Sequence, residues 1–184
     1  DRSYVELYIV FATRLVRGDF GKSFMYRIPV FELYLQRLPA SIQLAVAAMS
    51  ISVILGIPLG IFAAVRVNTW LDSFSNVFAN LGLATPSFWL GIMLMLIFAV
   101  NLQWLPVQGY GTFKHIIMPA VALGLVFTSA NMRLARSAML EVLGSEYIKL
   151  ARIKGLTENL VILKHAFKNA VIPVVTVLGL QVAQ

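Results

Sequence analysis

The sequence predicts an all-α membrane protein, a polytopic helix bundle that crosses the bilayer several times. Hydrophobic residues make up 59% of the 184 residues, charged residues only 12%, and the mean hydropathy is +0.82. A soluble core could not hide that much apolar surface. Four intervals contain no Asp, Glu, Lys or Arg, and each can hold a membrane-spanning helix, complete or partial: residues 38–65, 73–113, 115–132 and 169–184.

Other classes of protein fit the sequence less well. A membrane β-barrel needs alternating segments of about 10 residues, whereas runs such as residues 91–100 are apolar on both faces. The net charge of +7 does not predict nucleic-acid binding, because the basic residues flank apolar spans instead of forming a platform with aromatic residues. Cysteine is absent and the two histidines lie fifty positions apart, so we expect neither a metal site nor a catalytic site.

Residues 1–40 are expected to form an amphipathic helix and turns outside the membrane, on the side away from the cytoplasm. Apolar residues recur at one-sided helical spacing between residues 3 and 17, at Tyr4, Leu7, Tyr8, Phe11 and Leu15. Gly18 and Gly21 then break that helix. A short helix over residues 30–37 should lead to Pro39, which suits the first turn of the first span.

A transmembrane domain is expected over residues 41–184, with spans at about 41–65, 73–100, 116–136 and 170–184. In the first span, Gly56, Pro58 and Gly60 predict close packing against a neighbouring helix. The third helix should continue beyond the membrane to Leu143. The last span is expected to be truncated, and we interpret the chain as an internal fragment of a larger membrane protein with about three complete spans and part of a fourth.

The distribution of basic residues predicts the orientation of the spans. Residues 133–168 contain seven basic and three acidic residues, a net charge of +4, so the positive-inside rule places this segment in the cytoplasm. The 101–115 loop has one Lys and one His, which fits the opposite side. Residues 1–40 contain six basic and four acidic residues, which conflicts with an outside location. The number of spans nevertheless places them outside.

A cytoplasmic loop of two helices is predicted over residues 137–169. Gly144 is expected to end the preceding helix in a left-handed conformation, and Ser145 to cap the next helix. At 100° per residue, one face of that helix is apolar and carries Tyr147, Ile148, Leu150 and Ala151; the other is polar and carries Glu146, Lys149 and Arg152.

A sharp bend is predicted at Gly155, where a helix cap needs a positive φ angle and Leu156 could fold back on Ala151. A second helix should start near Thr157 and Glu158 and end in a basic cluster, Lys164, His165 and Lys168. Composition alone also fits a simpler interpretation, a basic loop that contacts anionic lipid head groups at about 1 kcal/mol per basic residue.

The residues of this loop match a known pattern. Ala151-Arg152-Ile153-Lys154-Gly155-Leu156, then Lys164-His165-Ala166-Phe167-Lys168-Asn169-Ala170 and Ile172-Pro173, strongly resemble the signature loop of ATP-binding-cassette (ABC) importer permeases of the dipeptide, oligopeptide and nickel group. The resemblance extends to segments 18–21, 37–40, 56–60, 86–89 and 104–106. The broader importer pattern has Glu-Ala-Ala, three residues and Gly; here only Ala151 and Gly155 match it.

The resemblance implies the fold of type I ABC importer permeases, with six helices, of which this chain carries the second to fourth and part of the fifth. It implies a bacterial or archaeal cytoplasmic membrane location. The implied partners are a second permease subunit, two cytoplasmic ATPase subunits, an extracytoplasmic solute-binding protein and membrane lipid, without nucleic acid. ATP and Mg would be bound by the ATPase subunits, so no cofactor is expected in this chain.

By the same resemblance, the loop docks in a cleft of an ATPase whose closure rocks two permease halves. Tyr147, Leu150 and Ala151 would pack against the ATPase, and Gly155 would set the angle of the bend. Arg152 and Lys154 would meet acidic or carbonyl partners. The full set of expected coupling residues is Glu146, Tyr147, Leu150, Ala151, Arg152, Lys154, Gly155 and Leu156.

The second span is the best candidate for a translocation path. Pro86 should interrupt its helix near the middle of the membrane, beside polar groups that lipid would not stabilise and aromatic rings that could form a constriction. The expected path residues are Asn80, Thr85, Pro86, Ser87, Phe88 and Trp89, with Thr128 and Asn131 on the third span. The alternative is that Pro86 only kinks a packed helix and that the aromatic residues belong to the core.

The sequence is also compatible with other functions. A different polytopic transporter or channel could carry a basic cytoplasmic loop, although it would not need the Gly155 bend. A membrane enzyme would need a nucleophile with a base, or metal ligands, and the sequence indicates neither. Related permeases carry dipeptides, longer peptides, glutathione-like compounds or nickel complexes, and the sequence does not distinguish among these cargoes.

Overall fold

Every regular secondary-structure element that the computed structural model describes over residues 3–182 is a helix, which confirms the all-α class. In chain order the helices are α1 Tyr4–Val16, α2 Val30–Val65, α3 Trp70–Ala84, α4 Ser87–Asn101, α5 Phe113–Leu143, α6 Glu146–Ile153 and α7 Glu158–Val182. Within the described residues, α2, α5 and α7 are long and apolar enough to cross a membrane, and α3 with α4 qualifies as one bent pair. The predicted polytopic bundle is therefore confirmed.

Contacts within the chain divide it into two compact units, Asp1–Gln43 and Leu44–Gln184. In the first unit, α1 has almost the predicted extent, and the glycines that follow it, Gly18 and Gly21, have φ angles of 77° and 72°. Phe20 stacks on Phe31 with ring centroids 5.9 Å apart. None of the described residues of this unit is buried.

The helix α2 is longer than predicted. A separate helix over 30–37 and a helix start at Pro39 were expected, but α2 continues from Val30 to Val65 with Pro39 inside it. The prediction was wrong because a proline removes one backbone donor, a loss that membrane helices tolerate. A widened, π-helical stretch, Ser52–Gly56, ends two residues before the second proline of the helix, Pro58.

Close packing of α2 against α5 forms the centre of the second unit. A Cβ atom on Gly56 would lie 2.9 Å from the Thr128 carbonyl oxygen, and one on Gly60 would collide with the Met132 carbonyl oxygen. No side chain fits at either position, so the two backbones approach as they do in Gly-x-x-x-Gly helix pairs. This confirms the prediction that the glycines of the first span mark a helix contact.

An ion pair connects α3 to α5. The Asp72 carboxylate accepts hydrogen bonds from Nε and Nη2 of Arg136 at 2.6 and 3.0 Å. The Asn68 backbone N–H and the Asn76 amide donate to the same carboxylate at 3.1 and 3.0 Å. Only 6% of the Asp72 side chain is exposed, and its four donors replace the water that burial removes. The start of α3 is therefore fastened to α5.

The last helix begins earlier than the sequence predicts. A span starting near Ala170 was expected, separated from a short helix that ended at Lys164, His165 and Lys168. Instead α7 starts at Glu158 and its 25 residues are enough to cross a membrane, with the three basic residues inside it. The separate helix end was a wrong prediction, because no glycine or proline interrupts residues 158–172.

Candidate functional site

The candidate site begins with a tight turn between α5 and α6. The helix α5 ends at Leu143, as predicted. Gly144 has a φ angle of −80°, so the expected left-handed cap is wrong. The Ser145 N–H instead donates to the Val142 carbonyl oxygen at 3.0 Å, a tightened last turn that needs no positive φ. The Ser145 hydroxyl also donates to Val142 rather than capping α6.

One side of α6 is buried within this chain. Ile148 and Ala151 pack in an apolar cluster with Met139 of α5 and with Val161 and Ala166 of α7. Ala151 was expected to pack against a partner protein, but its methyl group is already covered. The buried side of α6 therefore fixes the helix on the ends of α5 and α7 and leaves its other side to face outward.

The outward side of α6 carries an exposed stripe of three apolar side chains. Tyr147, Leu150 and Ile153 are 40%, 56% and 79% exposed, and their three-residue spacing places them on neighbouring turns. Glu146 and Lys149 form a surface ion pair on this helix at 2.7 Å. An exposed apolar stripe beside charged residues is typical of a surface that binds another protein.

The bend at Gly155 is the helix cap that the sequence predicts. Gly155 has a φ angle of 79°. Its N–H donates to the Arg152 carbonyl oxygen at 3.0 Å, and the Leu156 N–H donates to the Ala151 carbonyl oxygen at 3.3 Å. These two bonds are the pair that defines a Schellman motif. Leu156 packs against the cluster that contains Ala151, which agrees with the predicted return of the chain towards that cluster.

An ion pair spans the bend. Nε and Nη2 of Arg152 donate to the two carboxylate oxygens of Glu158 at 3.1 and 2.6 Å. The hydrogen bond with Glu158 raises the pKa of Arg152 above its ordinary value. Arg152 was expected to meet acidic or carbonyl groups of a partner; here its acidic partner lies in the same chain. Both side chains are largely exposed, so the pair orients the loop more than it stabilises it.

Tyr147 connects α6 to α7. Its hydroxyl accepts a hydrogen bond from the Asn169 side-chain amide at 2.8 Å. The same amide donates to the carbonyl oxygen of His165 at 3.1 Å. Because one edge of the Tyr147 ring is held in this way, the ring presents only its remaining surface to the outside. Lys154, next to the bend, is exposed and follows the end of α6.

A second feature of interest is the break between α3 and α4. The sequence suggested one span over 73–100, but the chain forms two helices that meet at 97°. Thr85 and Pro86 are extended at the break, with ψ angles of 120° and 131°. Pro86 has no N–H to bond to the preceding turn, which gives the physical reason for the interruption. The predicted helix interruption at Pro86 is therefore confirmed.

A cavity of about 390 Å³ lies beside the break. Ser87 and Phe88 line it together with Gln108 from the loop before α5 and with His115 and Ala122 from α5. Asn80 and Trp89 are exposed and do not line this cavity. The structure thus brings two of the predicted path residues to an opening at the helix break, and passage of cargo through it remains a prediction.

The other predicted path residues lie in helix contacts. Thr128 is fully buried and its hydroxyl donates to the Gly124 carbonyl oxygen of its own helix. Asn131 is also fully buried; its amide donates to the Ser52 hydroxyl at 2.6 Å and exchanges hydrogen bonds with Gln181. These bonds join α2, α5 and α7 at one level. A role of Thr128 and Asn131 in lining a path stays a prediction.

Sequence reasoning missed three residues that shape the site. Ile153 is the most exposed apolar side chain of α6, and its position three residues after Leu150 was a usable signal. Glu158 was predicted only as a helix start, and no sequence pattern indicates a pair across a bend. Gln181 pairs with Asn131 fifty positions away, which nothing local predicts.

This chain is similar in sequence to known membrane transport proteins. Residues 56–184 match the family model described as "Binding-protein-dependent transport system inner membrane component". The chain is 41% identical over 171 residues to glutathione transport system permease proteins (GsiC) of Salmonella paratyphi A and of Pectobacterium atrosepticum, covering 93% of this chain and 56% of each relative. It is 39% identical over 180 residues to a dipeptide transport system permease protein (DppB) of Lactococcus lactis, covering 97% and 59%.

The chain spans a little over half the length of these relatives. The family match covers most of the chain, from the contact of α2 with α5 through the bend at Gly155 to the end of α7. The resemblance stated from the signature residues is therefore confirmed at the level of the family. The chain belongs to the family of inner-membrane components of binding-protein-dependent transport systems.

Proposed function

We propose that this chain is the helix-bundle part of a permease subunit of an ABC importer, and that it carries peptides or related small solutes into the cytoplasm. The observation that carries the proposal is the α6 segment, where the Gly155 cap holds an exposed apolar stripe outward beside basic residues. Family membership and the names of the relatives support the same function.

The proposed partners follow from the exposed stripe and the family. An ATPase subunit receives Tyr147, Leu150 and Ile153 in an apolar cleft, and Lys154 meets an acidic or carbonyl group at the rim of that cleft. A second permease subunit, a second ATPase and an extracytoplasmic binding protein complete the transporter. ATP and Mg are bound and hydrolysed in the ATPases, and this chain supplies no catalytic group. The membrane is the bacterial or archaeal cytoplasmic membrane.

The proposed movement starts at the bend. Because Ile148 and Ala151 attach α6 to the ends of α5 and α7, a shift of the docked loop moves both helices together. The Asp72–Arg136 pair passes the shift of α5 to α3, whose other end is the break at Pro86. Ser87 and Phe88 then move at their cavity. Opening of a path at this break is the proposed consequence of ATPase closure.

The proposed cargo is a short peptide or a peptide-like compound. Relatives of this chain are named as glutathione and dipeptide transport permeases, and both cargo classes are small molecules with peptide bonds. A nickel complex is the second possibility that the group resemblance suggests. Competition among dipeptides, glutathione and a nickel complex for uptake in cells that express the full transporter separates these cargoes.

The docking proposal is tested with the full-length permease in its assembled transporter. Leu150→Asp and Ile153→Asp place a carboxylate where an apolar side chain should be buried by the ATPase. We expect each to reduce recovery of the ATPase with the purified permease at least tenfold, since burial of such a side chain contributes about 1.5–3 kcal/mol. Phe24→Asp is the matched control, because Phe24 is fully exposed in the other unit.

Two results would contradict the proposal. Recovery of the ATPase at the parent level in both stripe variants would show that α6 is not the docking element. Peptide uptake by the purified permease in liposomes without ATPase or ATP would instead favour the alternative of a channel or a different transporter.

A further inference from the structure

A groove of about 600 Å³ runs between the end of α2 and the start of α7, apart from the stripe and from the cavity at the helix break. Eight of its ten lining residues are apolar, among them Ile61 and Phe62 of α2 and Leu163 and Phe167 of α7. Phe62 and Leu163 are both well exposed in this groove. The remaining two lining residues, Arg66 and Asn159, are polar.

Both polar residues lie at the same end of the groove. The Asn131 amide bonds with Ser52 of α2 and Gln181 of α7 at one level of the bundle. Ala64 of α2 and Val161 of α7 share an apolar cluster at another level. The two helices therefore run in opposite directions, so that the end of α2 lies beside the start of α7.

The groove therefore has a polar end and an apolar end. Arg66 directly follows the last residue of α2, and Asn159 is the second residue of α7. At 1.5 Å per residue, Ile57 and Phe167 lie about 12–14 Å further along their helices. A cation and an amide at one end are followed by an apolar groove. A phospholipid has the matching arrangement, with a phosphate at one end followed by an acyl chain.

The groove's polar end also has free capacity for an anion. None of the salt bridges between described residues involves Arg66. A guanidinium binds phosphate oxygens through paired N–H donors, and the Asn159 amide offers a further donor. The surrounding segment 133–168 has a net charge of +4, which favours an anionic head group. Basic pockets between membrane helices on the cytoplasmic side bind such lipids.

We propose that this groove binds one anionic phospholipid, with its phosphate on Arg66 and Asn159 and an acyl chain along Ile61, Phe62, Leu163 and Phe167. The lipid would hold the end of α2 against the start of α7, a few residues after the Gly155 bend. Lipid composition would then affect the position of the proposed docking loop. The groove shares no lining residue with the stripe on α6 or with the cavity at the helix break.

The test uses the full-length permease in its assembled transporter, in nanodiscs with equal amounts of phosphatidylglycerol and phosphatidylcholine. A benzophenone side chain replaces Leu163 in one protein and Phe62 in another. After illumination, mass spectrometry of the permease identifies what has been attached. We expect a phosphatidylglycerol adduct in clear excess over phosphatidylcholine at both positions. A benzophenone at Leu180, exposed on the same helix but outside the groove, should show no such preference.

Arg66→Gln in the same benzophenone background should reduce the phosphatidylglycerol adduct about fivefold, the loss expected for one basic residue at an anionic lipid. Lys164→Gln removes a charge from the neighbouring position on α7, outside the groove, and should reduce the adduct clearly less than Arg66→Gln does. Equal yields with the two lipids, or no effect of Arg66→Gln in a folded protein, would overturn the proposal. So would attachment to another segment of the permease or to a partner subunit, which would identify a protein as the occupant.

Discussion

Gly155 is the residue at which the proposed coupling depends on the absence of a side chain. Its φ angle of 79° belongs to the left-handed region, which L residues with a Cβ atom avoid. Among residues 3–182, and apart from Gly155 itself and its two chain neighbours, no atom lies within 4 Å of where that Cβ would be, so the cost of a substitution is conformational and not steric. A substitution at Gly155 therefore tests the conformation of the bend without adding a steric clash.

Gly155→Val should disable coupling while the protein still inserts into the membrane. A β-branched residue in the left-handed conformation costs about 1–2 kcal/mol or more, which favours a straightened bend and a displaced stripe. We expect transport and cargo-stimulated ATP hydrolysis by the transporter to fall strongly at unchanged expression. Gly155→Asn is the control, because asparagine tolerates positive φ, and it should retain most activity. Equal activity of the two variants would remove the role of the bend.

Asp72 and Arg136 should stabilise the bundle as a pair. Asp72→Asn leaves the Arg136 guanidinium, 22% exposed, with no carboxylate partner. Breaking a fully buried pair costs about 3–5 kcal/mol, and the residual exposure of Arg136 should reduce that cost. Asp72→Asn should lower the unfolding temperature in detergent strongly. The double variant, Asp72→Asn with Arg136→Gln, should lower it by less than the sum of the two single variants.

Arg133→Gln is the matched control for these single and double variants. Arg133 is exposed on the same helix, so this substitution should change the unfolding temperature little. Additive effects of Asp72→Asn and Arg136→Gln would show that the two side chains do not act as a pair.

At the scale of elements, the contact between α2 and α5 depends on glycine. Gly60→Ala should destabilise the bundle by roughly 1–3 kcal/mol or more, because the added methyl group meets the Met132 carbonyl oxygen and lies 2.9 Å from the Ala135 Cβ atom. Gly179→Ala on α7 has open space around it and should be neutral or slightly stabilising. Unfolding temperatures of the two variants compare them directly, and equal values would contradict the close approach of α2 and α5.

At the break between α3 and α4, a substitution that faces the cavity should affect transport differently from one outside the cavity. Ser87→Trp fills part of the cavity that Ser87 lines and should lower transport or change cargo preference at unchanged abundance. Trp89→Ala, at an exposed position outside that cavity, should leave the cargo preference of the parent unchanged. Uptake of a peptide panel measures both. Parent preferences in Ser87→Trp, with full activity, would leave the break a structural feature only.

At the scale of the whole molecule, the orientation of the helices can be tested with single cysteines, because the chain has none. Cysteines replacing Lys154 and Gln108, in a full-length protein without other cysteines, should react with a membrane-impermeant reagent from opposite sides. Lys154 is expected to react only from the cytoplasm, as the net charge of +4 over residues 133–168 indicates. Reaction of both from one side would exclude the proposed topology.

The sequence alone determined the features that depend on a few neighbouring residues. The all-α membrane class follows from uncharged apolar intervals, the helix interruption from the ring of Pro86, and the bend from a glycine at a helix end. The Gly-x-x-x-Gly pattern likewise indicated a helix contact, although not its partner. Each of these rests on backbone geometry or on hydrophobicity, which a segment possesses before the chain folds.

Only the tertiary structure decided which surfaces those segments present. The apolar face predicted for α6 divides into Ile148 and Ala151, buried against α5 and α7, and an outward stripe that includes Ile153. The partners of Asp72 and Asn131 lie 64 and 79 positions away, at Arg136 and Ser52. Helix order and packing set such contacts, so no local pattern predicts them. Burial and charge pairing are properties of the assembled bundle, and those properties decide which residues remain free to bind a partner.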